Sequence, residues 1–176
     1  MTADLDTPQF FAADVGGAAA IDVVTLQNWI KRKIIPMGDR DRAALGSGSR
    51  RLFTLRTVLH IAVAAELVRN GIAAATAAKM AAEFAHLGHG GGAWREGEKP
   101  PAGRNPGHLY EHGRTLLIAY PGAEEAVIMA VTDTTPISKL FEQQHNPKDD
   151  FVASAIILDL SEIDLMVRAR LGVDRG

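Results

Sequence analysis

The 176-residue sequence contains no cysteine, which excludes disulfides and thiolate metal sites and fits a reducing compartment. No secretory leader is expected, since MTADLDTPQF carries neither a basic start nor an apolar stretch. No run approaches the roughly 18 uninterrupted apolar residues that a membrane span needs. A soluble, cytoplasmic protein without a membrane partner is therefore expected. Signatures of catalysis are missing too. There is no G-x-S-x-G, and GHGGG at 88–92 lacks the Lys and Ser/Thr that would complete a phosphate-binding loop. The carboxylate pairs Glu124-Glu125 and Asp149-Asp150 fall in turn-like segments and read as solvated acids. No enzyme, catalytic residue or cofactor is expected.

Histidines offer the remaining route to a metal. His86-x2-His89 and His108-x3-His112 have ligand-like spacing, and i, i+4 imidazoles share a helix face. However, His89 lies among glycines and nothing in the sequence brings the two pairs together. The expectation is polar loop and surface histidines, with no metal.

What the chain does have is polarised charge. The net formal charge is only −2. Residues 29–56 nevertheless hold eight basic side chains against Asp39 and Asp41, whereas residues 121–164 hold nine acidic ones against Lys139 and Lys148. Such a distribution points to one region that meets an anion and another that does not. Hydrophobic residues make up 47%, enough for one mid-sized core or two small ones without staples.

Punctuation divides the chain. Thr7-Pro8 predicts a helix start, with a short helix through Phe10, Phe11 and Val15 that loosens at Gly16-Gly17. Asp22 predicts the cap of a second helix running to about Lys33, with Leu26, Trp29, Ile30 and Lys33 on one face and Pro36 preventing continuation. A polar excursion follows, then Arg51-Leu52-Phe53 as a short strand. Thr54 caps a helix that Gly71 ends, and residues 73–87 form an Ala-rich helix with Met80, Phe84 and Leu87 on one stripe. Residues 88–107, with seven glycines and three prolines, read as a linker. Beyond it, RTLLIAY and EAVIMAVT form a hairpin through Pro121-Gly122-Ala123-Glu124, and a short helix follows Pro136. FVASAIILDL is a third, well buried strand. Ser161 caps a last helix, with Asp164 at capping-box spacing and Ile163, Met166, Val167 and Leu171 as its stripe; Arg168 and Arg170 suit its C-terminal end, and Gly172 stops it.

This order predicts an α+β chain. Residues 1–87 form a mostly helical winged helix-turn-helix, 88–107 the linker, and 108–176 a small α/β module with an antiparallel sheet and a C-terminal helix. The second helix suits the DNA major groove. Lys31, Arg32 and Lys33 at its far end would neutralise phosphates, and Arg40, Arg42, Arg50 and Arg51 would hold the adjacent backbone.

The run IDVVTLQNWIKRKIIP, followed by RLFTL and a helix ending at Gly71-Ile72, resembles the DNA-binding domain of the MerR family. That pattern has Val or Ile, a small capping residue, Thr-Leu, and an aromatic three residues after the Leu. A hydrophobic pair plus proline closes the helix, and Arg-x-Tyr follows the wing. Ile21, Asp22, Thr25-Leu26, Trp29, Ile34-Ile35-Pro36 and Arg51-x-Phe53 occupy these places in register. Lys33 stands where glycine is usual, Gln27 where arginine is common, and Ile72 where an aromatic is usual. The likeness spans about residues 8 to 87; the long dimerising helix of that family has no counterpart here.

The resemblance implies duplex DNA as partner, with Thr25, Gln27 and Asn28 at or near base edges and Arg51 gripping the backbone from the wing. A transcriptional regulator binding as a homodimer is expected, with RNA polymerase or another protein as a further partner. The second half would serve dimerisation, sensing or partner binding, its third strand and last helix supplying the subunit contact. Two alternatives stay open: a phage-type DNA-packaging or recombination-directing subunit, and a protein-interaction module that does not bind DNA.

Overall fold

A computed structural model describes residues 4–38, 40–41, 50–88, 103–141 and 153–175. Among them are five α-helices and one three-stranded antiparallel sheet. The helices are α1 (Ala12–Ala19), α2 (Val23–Lys31), α3 (Leu55–Arg69), α4 (Ala74–Ala85) and α5 (Leu160–Leu171); the strands are β1 (Arg114–Ala119), β2 (Val127–Val131) and β3 (Ile156–Asp159). A 3₁₀ turn, Ile137–Phe141, follows Pro136 as expected.

The first element differs from its expectation. Thr7-Pro8 does not start a helix, because the segment after it is recruited into extended pairing. Phe10 is buried and bridges Phe53, with the Phe53 amide donating to the Phe10 carbonyl at 2.8 Å and the Phe10 amide returning at 3.1 Å. Helix α1 begins only at Ala12, where Asp14 reaches back to accept from the Phe11 amide at 2.8 Å. It then runs through Gly16 and Gly17 without loosening. A Cβ on Gly16 would come within 2.9 Å of the Ile21 carbonyl, so glycine lets the chain fold back tightly after the helix. Ala20 ends α1 in the left-handed region, φ 52°.

Helix α3 is the hub. Thr54 caps it by accepting from the Thr57 amide, and Gly71 at φ 91° leads out of it, both as the sequence predicts. Every residue from Thr57 to Ala65 is buried, so α3 is covered on all sides; a helix apolar around its whole circumference belongs in the interior. Its neighbours are α1, α4, α5 and the strand β3. Alanines 77, 78 and 81 let α4 lie close, while Met80 and Phe84 fill the seam. Leu87, placed on that stripe by its spacing, is half exposed.

In the sheet, β1 is central and pairs antiparallel with both β2 and β3. The β1–β2 hairpin turns through Pro121-Gly122 as expected. Strand β3 is shorter than predicted and is an edge among the described strands, so Ile157 is 38% exposed. The cap of α5 also differs. Asp159, not Ser161, accepts from the Ser161 and Glu162 amides at 2.9 and 3.2 Å. The Ser161 hydroxyl is taken by the Thr115 amide of β1. Asp164 is buried and holds Arg168 at 2.8 Å and Arg175 at 2.6 Å.

Residues 89–102 of the expected linker lie outside the described residues. On either side of it the chain contributes to one apolar core, in which Leu26, Leu59 and Phe84 join Leu117, Leu158 and Val167. Helix α5 packs on α1 and α3 as well as on β1. Arg170, in the last turn of α5 as expected, also donates to the Ala18 carbonyl at 3.0 Å, helping to cap the last turn of α1.

Candidate nucleic-acid interface

The turn at 20–22 joins α1 to α2, and Asp22 is the hinge of that junction. Its carboxylate accepts from the Thr25 amide and the Thr25 hydroxyl, both at 2.7 Å. Those bonds, the hydroxyl first, hold the Asp22 carboxyl below the usual range. On α2 the buried residues are Leu26 and Trp29, with Ile30 half-buried. At about 100° per residue, Val24, Gln27, Asn28 and Lys31 occupy a single opposite arc, and all four are exposed. Arg32 follows at the C-cap, also exposed.

Two predicted positions behave differently from the rest of α2. Thr25 is half-buried and its hydroxyl is committed to Asp22, so it builds the helix start. Lys33 lies beyond the helix and is not on its apolar face. It is exposed, with φ 57°, in the left-handed region that favours glycine. That reversal sends Ile35 into the core, 1% exposed, before Pro36 turns the chain outward.

The basic residues after α2 divide by environment. Arg50 is exposed and its guanidinium stacks 5.6 Å from the Phe11 ring centroid. Arg51 is half-buried, and its Nε has no partner among the described residues. Arg40 is exposed but ion-paired with Asp6. Arg42 lies outside the described residues. Arg56, part of the basic count in the sequence, points inward: it holds Asp6 through Nε at 2.7 Å and donates to the Ala85 and Pro106 carbonyls. The Arg56 bond keeps the Asp6 carboxyl below its ordinary range.

Three supporting features have no signal in the sequence. Asp41 ties the start of the 40s segment to α3, accepting from the Gly38 and Thr54 amides at 2.7 Å and from the Thr57 hydroxyl at 2.8 Å. Arg104, 4% exposed, donates to the carbonyls of Glu83, Phe84, Leu87, Asn105 and His108. It thereby caps α4 and pins the chain that re-enters from the glycine-rich stretch; a cation suits that helix end. Finally, His60 and His86 form a pair at 3.0 Å, and His60 Nε2 lies 2.8 Å from the Ala78 carbonyl. A carbonyl only accepts, so Nε2 of His60 carries the hydrogen, and its bare Nδ1 accepts from His86. Burial pushes His60 down to about 4 and also lowers His86. Of the metal-like pairs read in the sequence, His89 is outside the described residues, and His108 and His112 are exposed.

A cavity of about 550 Å³ lies between the first turn of α4 and the β1–β2 turn, floored by Met80, Ala119 and Ile156. Glu124 at its rim is ion-paired with Lys79 at 2.9 Å. The arc on α2 is the stronger candidate site because it gathers polar and cationic side chains on a rigid, capped helix. Comparison of the chain with protein-family models, with curated proteins and with solved structures gives no match.

Proposed function

We propose that this protein is a sequence-specific DNA-binding transcriptional regulator, its first half a MerR-like winged helix-turn-helix with α2 as the recognition helix. The observation that carries this reading is the exposed arc of α2. Gln27, Asn28 and Lys31, with Arg32 beside them, present amides and cations to solvent, with no ion-pair partner among the described residues. Leu26 and Trp29 anchor the opposite side of the helix. Amides suit base edges in the major groove, and cations suit phosphates. The Phe10–Phe53 bridge supports the reading, since Arg50 and Arg51 lie just before Phe53 and the segment ahead of them would form the wing.

One such helix makes a small interface, so the protein would read a two-fold site as a homodimer. Ile157 on β3 and Leu165 and Met166 on α5 are exposed apolar residues available for that contact. RNA polymerase or another regulatory protein would meet the remaining surface.

Selection of bound sequences from random duplex DNA tests the proposal. An enriched pseudo-palindrome is expected, bound with an affinity that falls by on the order of 10³-fold between roughly 50 and 200 mM salt. Binding that is absent, or that salt does not weaken, would overturn it in favour of a protein-interaction module. Enrichment of packaging or attachment sites, as opposed to promoter-proximal ones, would favour the phage-type reading.

A further inference from the structure

Val24 is the one apolar side chain on the exposed arc of α2. It is the second residue of the helix and 65% exposed, flanked on the same arc by Gln27, Asn28 and Lys31. Its neighbours in sequence are engaged elsewhere. Val23 is half-buried, and Thr25 spends its hydroxyl and amide on Asp22. Neither can be the side chain that leads this end of the helix outward.

From this arrangement we infer that Val24 is a specificity-determining residue that reads the 5-methyl group of a thymine. The inference rests on the DNA-binding reading proposed above. Side chains near the start of a recognition helix reach base edges, and thymine alone among the four bases presents a methyl in the major groove. An isopropyl group has no hydrogen-bonding atom. It gains by excluding water from another apolar group and is penalised opposite the cytosine amino group, which it would desolvate without a partner. Two methyls on a Cβ with restricted χ1 also make Val24 a stiff probe on a capped helix. It would complement Gln27 and Asn28, which suit adenine through paired donor and acceptor. The arc thus favours A·T pairs read from both strands.

The test replaces each thymine of the selected duplex by uracil, one position at a time, which deletes only the methyl group. The full-length wild type should lose about fourfold in affinity at one or two positions, the value of one buried methyl. The Val24→Ala variant should bind the thymine duplex more weakly and show no uracil penalty at those positions, whereas Asn28→Ala should keep the penalty. Because Val24 is exposed and alanine is the better helix former, the variant should fold. The double comparison separates a direct contact from any effect of the methyl on duplex shape, which both proteins would feel equally. A wild type indifferent to uracil, or a Val24→Ala protein that keeps the full penalty, overturns the assignment while leaving DNA binding intact. No salt-dependent binding to any duplex overturns the DNA-binding reading as well.

Discussion

Acidification should charge the buried His60, and the structure sets both the sign and the size of the consequence. His60 sits on α3, 1% exposed, between the Ala78 carbonyl and the His86 ring. Adding a proton would put hydrogen on Nδ1, where the His86 N–H already donates, so one bond of the relay must break. Burial lowers the folded-state pKa from 6.5 to about 4. The neutral ring therefore contributes stability that is fully present above 6.5. It is lost as pH falls, because the unfolded chain takes up the proton first, and the loss levels off near 4. Between about pH 7.5 and about pH 4.5 the cost is about 2–3 kcal/mol. His86, also lowered, adds in the same direction. Asp6 acts in a separate window: its carboxyl lies below 3.8, so its contribution disappears only under more acidic conditions.

Urea denaturation at several pH values across that range measures the effect. His60→Gln keeps a donor for Ala78 and an acceptor for His86 but cannot titrate, so its stability should vary less with pH by that same amount. An equal pH dependence in both proteins would refute the reasoning. So would a wild-type His60 ring signal, followed by NMR, that titrates near 6.5.

Other consequences can be checked with single substitutions. Arg104→Met removes a guanidinium that donates to five carbonyls, of which those of Phe84 and Asn105 keep the Gly107 and His108 amides, and should cost about 3 kcal/mol in denaturation; Arg104→Lys should not restore it, since an ammonium has three donors in the wrong geometry. Lys33→Gly should raise the melting temperature by a few degrees, about 0.5–1 kcal/mol, because the left-handed backbone there favours glycine; no gain would mean that the strain is absent in solution. In binding assays, Gln27→Ala should alter base preference, whereas Arg51→Ala should weaken all sequences alike and reduce the salt slope. Identical behaviour of the two would remove the division between reading and gripping.

Much of the first half was legible because its signals are local. Asp22 and Thr54 act on amides three residues away, and the α2 stripe follows from a 3.6-residue period. Of the exposed arc, Gln27, Asn28 and Lys31 face outward as expected, whereas Thr25 is held by Asp22 and Val24 takes the outward place near the helix start. The misjudged elements share a different cause. Thr7-Pro8 is a good local start, yet pairing of Phe10 with Phe53, more than 40 positions away, holds that segment extended. Ser161 is a good local cap, yet Asp159 takes the amides once β1 claims the serine hydroxyl.

The sequence by itself determined the caps of α2 and α3, the place of Leu26 and Trp29 on the apolar face of α2, and how charge is divided along the chain. These depend on interactions within one or two turns, and composition encodes them directly. Only the tertiary structure decided that α5 packs against α1 and α3, that Arg56 turns inward while Arg50 stays out, and that His60 is dry. Each of these depends on which distant segments share a core. Many arrangements of the same helices and strands satisfy the local rules, and the energy that selects one comes from packing α3 on every side at once.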